Sequence, residues 1–185
     1  MNSGLFKSLP APDLRVLDEM ERHQRKMYEG AKFPDTDEGG HSPTRERIMA
    51  GFGTVREHLL ECWADHNIEG VLAMLDNTLE LAFICDNLPA LMGAGLYERG
   101  LISAYQDHRL NYHRWDPDTI SYLFGKADPA KLRTAADPMP ERESYVLYRG
   151  VAGKGRARRI TNGMSWTDDF DLAKWFAHRF DHLAD

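Results

Sequence analysis

Tyr145-Val146-Leu147-Tyr148-Arg149-Gly150 is the stretch on which the reading of the fold turns. Tyr145, Leu147 and, past the arginine, Val151 point one way, with Val146 and Tyr148 opposite. A period of two over so short a run predicts a strand. Gly150 lets the end of that strand come close to a ligand. An arginine there can grip a pyrophosphate through two parallel charge-assisted hydrogen bonds. Further on, Met164-Ser165-Trp166-Thr167 predicts a second short strand, with two hydroxyls flanking an indole. Asp168-Asp169-Phe170-Asp171 then starts a helix running through Trp175 to Phe180, with acids at its positive end.

Tyr-Arg-Gly, then Ser-Trp-Thr, then a Trp-Phe-Ala helix: in this order residues 140–185 resemble the ADP-ribosyltransferase fold of the arginine–serine–glutamate class. The resemblance is closest to the versions carried by phages and mobile elements. It implies NAD as substrate, cleaved at the nicotinamide bond, with ADP-ribose passed to a macromolecular target. It gives Arg149 the phosphate and ribose, and Ser165 the nicotinamide ribose, with Thr167 completing the Ser-x-Thr pattern. It gives Gly150 the close backbone approach, and Trp166 or Phe176 the face of the nicotinamide. Against this, Arg149 and Ser165 can equally be a strand-end arginine in a salt bridge and a turn serine. Trp175, Phe176 and Phe180 fall on helical spacing and read as core before cofactor contacts.

Cleaving the nicotinamide bond builds positive charge on the ribose carbon, so such a site needs a held carboxylate. The glutamate strand that the family implies has no counterpart here. After Thr167 the acids are Asp168, Asp169 and Asp171, read as helix N-terminal acids, and Asp181 and Asp185, read as a frayed end. The expectation is therefore a C-terminally truncated member with no catalytic residue assigned. Completion by another chain, or decay into a binding module, stays open. The second reading of the whole chain is a non-enzymatic helical interaction protein in which residues 145–180 cap the bundle.

At 185 residues, one domain or one and a half is expected; 42% apolar and 28% charged residues are ordinary for a soluble globular chain. No apolar run approaches the ~20 residues that span a bilayer, and Met1 to Lys7 lacks a signal-peptide core. Cys62 and Cys85 form neither a disulfide framework nor a metal spacing; they read as small hydrophobes in a cytoplasmic protein. The net charge of −6 speaks against a nucleic-acid partner. Lys154, Arg156, Arg158 and Arg159 are the local exception, either a solvated loop or an electropositive rim. His108 and His113 fall on different helical faces with no third ligand, so no metal site is expected. Arg114-Trp115-Asp116 is placed by adjacency alone over the cofactor groove.

The rest of the chain reads as helices. Residues 1–12 form a loose leader, and Pro12-Asp13 opens a helix with Leu14, Leu17, Met20 and Met27 on one stripe, closed by Gly30. Residues 31–43 read as a loop. A second helix starts at Thr44 or Thr54 and runs to Asp65, weakened by Gly51 and Gly53. Ile68, Val71, Leu72, Leu75, Leu79, Ala82 and Phe83 predict one long central helix, ended by Asn87-Leu88-Pro89 and a turn at Gly93–Gly95. Leu96–His108, Asp116–Phe124 and Asp128–Arg133 follow, the last two each with an Asp N-cap and a first-turn Pro. The predicted class is α+β: a helical bundle over 1–140, then the incomplete beginning of a β-rich ADP-ribosyltransferase-like unit over 141–185.

Overall fold

The computed structural model describes residues 9–29, 45–107, 115–136, 142–151 and 166–178. Several expectations lie outside them: the loop 31–43, His108, His113, Arg114, the basic run 154–159, Ser165, Phe180, Asp181 and Asp185. The helices are α1 (Arg15–Glu29), α2 (Arg45–Ala64), α3 (Ile68–Ala73), α4 (Glu80–Asp86) and α5 (Leu88–Ala94), then α6 (Tyr97–Asp107), α7 (Pro117–Lys126), α8 (Pro129–Ala135) and α9 (Phe170–His178). The chain divides into two compact units: Met1–Asp116 with Ile120–Asp137, and Pro117–Thr119 with Pro138–Asp185.

In the first unit α6 is central, packing against α3, α4, α5 and α8, while α2 lies on α1 and α3. Leu17, Leu59, Val71, Leu81, Phe83, Ile84, Tyr97 and Leu101 are fully shielded in one apolar cluster. A Cβ at Gly100 would stand 2.9 Å from Ile68 Cγ1 and from Ile84 Cδ1, so the missing side chain is what lets α6 approach α3 and α4. The stripe predicted for α1 holds at Leu17 and Met20, but Met27 is exposed.

The single helix expected from Ile68 onward is two helices. The Asp76 carboxylate accepts the Thr78 N–H at 3.0 Å and the Asp76 carbonyl accepts the Leu79 N–H at 2.8 Å. Side-chain bonds of this kind offer the backbone an alternative to the helix, and here they break it. The periodicity survives because Ile68, Val71, Leu72 and Leu75 bury in the same cluster as Leu81, Phe83 and Ile84. Residues 88–94, expected as helix end and turn, form α5, with Pro89 in its first turn and left-handed Gly95 (φ 72°) at its end. Residues 9–14 are tied down instead of loose. Trp63 Nε1 donates to the Pro10 carbonyl at 2.9 Å, and Asn87 exchanges hydrogen bonds of 2.7 and 3.1 Å with the Asp13 backbone.

Tyr97 caps this packing chemically. Its hydroxyl donates to the Leu123 carbonyl at 2.8 Å, in the last turn of α7, where carbonyls run out of intrahelical partners. Burial pushes the phenol up to about 12 from its ordinary 10. Between those values the unfolded chain sheds a proton that the folded chain retains. This contribution is therefore complete below pH 10 and is lost as pH rises towards 12. Tyr97→Phe is expected to cost about 1–3 kcal/mol at neutral pH by orphaning that carbonyl. It should also flatten the alkaline fall in the urea midpoint.

The second unit corrects the fold class. Among the described residues there is no strand: Tyr148 and Thr167 form a lone antiparallel bridge, with N···O distances of 2.7 and 3.0 Å. The expected β-rich beginning, and with it the α+β class, is overturned in favour of helices with one bridge. The alternation over 145–151 supplied the apolar residues of a strand but no sheet to bury them. Val146 is 69% and Leu147 46% exposed, and a pair of short strands gains too little burial to persist alone.

Candidate functional site

The bridge and α9 bring most of the sequence-derived site residues together. The bridge is confined to Tyr148 and Thr167, and it draws their chain neighbours Arg149 and Trp166 into the same region. Gly150 then runs against α9. A Cβ there would press on the Ala173 carbonyl and stand 2.7 Å from both Ala177 N and Phe176 Cβ. The close backbone approach expected of this glycine is thus made to a helix. Tyr148 meets Phe170 edge to face, with ring centroids 5.3 Å apart. Arg149, Gly150, Trp166, Thr167 and Phe176 therefore lie in one neighbourhood; Ser165 falls outside the described residues.

The polar groups sort by their partners. Thr167 Oγ1 accepts the Asp169 N–H at 3.1 Å, and Asp169 Oδ1 accepts the Leu172 N–H at 2.9 Å, the N-cap bond that starts α9. Asp168 stands 3.4 Å from Arg142, with both side chains about half exposed, so the pair adds little. Arg149 differs from these. Its side chain is half-buried, and Nη1 is fully shielded with no hydrogen-bond acceptor. A buried N–H without an acceptor carries its full desolvation cost.

Trp175 and Phe176, read from helical spacing as core, are exposed at 57% and 41%. Trp166, Phe170 and Leu172 are exposed as well. Ala173, the small residue that receives Gly150, is the buried position of α9. A helix read by its largest side chains thus presents its smallest to its neighbour. Trp115 packs partly buried against the core of the helical unit. Burial, with Asp86 beside it, pushes the Cys85 thiol up, which keeps it protonated and unreactive and fits its reading as a small hydrophobe. Among the described residues no group of three His, Cys, Asp or Glu side chains could hold a metal ion. No described helix is long and apolar enough to cross a membrane.

No protein-family model, no curated protein and no solved structure matches the chain.

Proposed function

We propose that the second unit recognises the phosphate and ribose of NAD through Arg149, as an ADP-ribosyltransferase-like binding element of a cytoplasmic protein with a macromolecular target. The observation that carries the reading is the buried, acceptorless Nη1 of Arg149. A phosphate oxygen is the acceptor that best suits a guanidinium donor. Trp166 adjoins the bridge and Phe176 lies beside Gly150, both exposed, so aromatic surface is available near Arg149 for a planar ring. Thr167 accepts from Asp169, which leaves its hydroxyl proton for a ligand oxygen.

The reading is of binding without turnover in this chain. Near the site Asp169 is committed to capping α9 and Asp168 stands by Arg142, so neither is positioned to stabilise charge on the reacting carbon. Calorimetric titration of the chain with NAD should show weak binding, and nicotinamide release should stay at background. Arg149→Ala should weaken NAD binding by about tenfold or more, the loss of a charge-assisted bond of about 1.5–3 kcal/mol. Unchanged affinity in that variant rules the reading out.

A specific observation favours a second reading, the non-enzymatic interaction module. Val146, Leu147, Trp166, Phe170, Trp175 and Phe176 leave much apolar surface exposed on a small unit, as interaction surfaces do. Absence of any NAD binding by the wild-type chain would select it.

A further inference from the structure

The helical unit contains a cleft of about 340 Å³ between α1, α2 and the turn after α3, none of it used above. Its floor is apolar: Met20, Phe52 and Leu75 are buried, and Met74 is half-buried beside them. Met20 Sδ accepts the Asp76 N–H at 3.4 Å, which ties α1 to the turn beneath the cleft. A Cβ at Gly51, on the α2 wall, would meet nothing within 4 Å, so that side of the cleft is open space.

The charged groups around the cleft are already engaged. Arg56 Nη2 stands 2.7 Å from Asp18 and 3.1 Å from Glu21. The Asp76 carboxylate accepts the Thr78 N–H at 3.0 Å. The Arg25 guanidinium lies 4.9 Å from the Phe52 ring centroid. Both signs thus stand at the rim, and a ligand of either charge would give up water for no waiting counter-charge. Gln24 is different. Its side chain lines the cleft half-buried and makes no hydrogen bond among the described residues. Its amide offers donors and an acceptor without net charge.

We propose that this cleft binds a small neutral aromatic molecule with one hydrogen-bonding group, of the phenol type. The ring rests on Met20, Phe52 and Leu75, and its hydroxyl bonds to the Gln24 amide. Thioethers favour the edge of an aromatic ring, and Met20 and Met74 supply two of them. Phe52 adds an aromatic contact that an aliphatic alcohol of the same size would forgo. The volume lies toward the small end of ligand sites, which suits a single ring. An apolar lining with one uncommitted polar group is the composition that fixes the orientation of such a molecule.

The test is a titration of the full chain with phenol, toluene, sodium benzoate and benzylammonium chloride, read by amide NMR shifts. Phenol and toluene should move the Gln24, Phe52 and Leu75 amides, and both ions should bind at least about tenfold more weakly than phenol. Gln24→Leu should weaken phenol by about threefold to tenfold, the worth of one neutral hydrogen bond, and leave toluene unchanged. Gly51→Leu should weaken both neutral probes by about tenfold or more. The melting temperature should hold or rise in that variant, since leucine suits a helix better than glycine. An ion that binds as tightly as phenol, phenol affinity unchanged in Gln24→Leu, or an equal loss of phenol and toluene there would each overturn the proposal. So would wild-type affinity in Gly51→Leu, or no shift at those amides.

Discussion

Phe83→Ala is expected to lower the unfolding free energy by about 3–5 kcal/mol, the range for emptying a fully buried aromatic site. Phe83 has no solvent exposure and meets Trp63 edge to face, with centroids 5.9 Å apart and rings at 86°. Such a contact adds about 0.5–1.5 kcal/mol beyond the area it buries. The consequence also travels along the chain, because the Trp63 indole holds the Pro10 carbonyl at 2.9 Å. With Phe83 gone, Trp63 can tilt into the void and release residues 9–14 from the bundle. Domains of this size are stable by about 5–15 kcal/mol in total, so the variant should sit near its unfolding midpoint in mild urea. Urea titration followed by circular dichroism checks this. A loss below about 1 kcal/mol would mean that the core collapses to fill the space, contrary to the close packing at Gly100.

The helical half was legible where local chemistry and burial agree. Asp128, predicted as an N-cap before Pro129, accepts hydrogen bonds from Ala130 and Lys131 in the structure. The apolar periodicity around Ile68 found the right core residues, yet it could not see the break at Asp76. A pattern of burial is indifferent to the turn that interrupts it, whereas the Asx bond to Thr78 is not. Leu88–Ala94 was missed for a related reason: proline and glycine mark turns, but proline in a first turn and glycine just past the last are also helix boundaries. The strand was misread because alternation over 145–151 is a statement about faces. Whether a sheet exists to cover one of them depends on residues elsewhere in the chain. The Ser-Trp-Thr run supplies Thr167 opposite Tyr148, but as a single bridge and not as the second strand expected there.

Gly150→Val is expected to separate residues 148–151 from α9. The atoms a side chain would meet are the Ala173 carbonyl, the Ala177 amide nitrogen and Phe176 Cβ, two of the three being helix backbone. Backbone held by its own hydrogen bonds cannot step aside as a flexible side chain can. The cheaper response is for the segment carrying Gly150 to lift away. Lifting it costs the two hydrogen bonds between Tyr148 and Thr167 and the edge-to-face contact of Tyr148 with Phe170. With a handful of contacts to lose and a lone bridge to hold it, this unit has little to set against the clash, and complete opening is the expected outcome. Hydrogen exchange reads it directly: the amides of Tyr148 and Thr167 should exchange at the rate of open chain, while those of α4 and α6 keep their protection. Gly150→Ala presses the same three atoms and should act in the same direction. Because Arg149 moves with its neighbour, NAD binding should fall as far in Gly150→Val as in Arg149→Ala, although valine removes no charge. Retained protection at Tyr148 and Thr167 would show that α9 yields instead, and that the approach at Gly150 is looser than its contacts require.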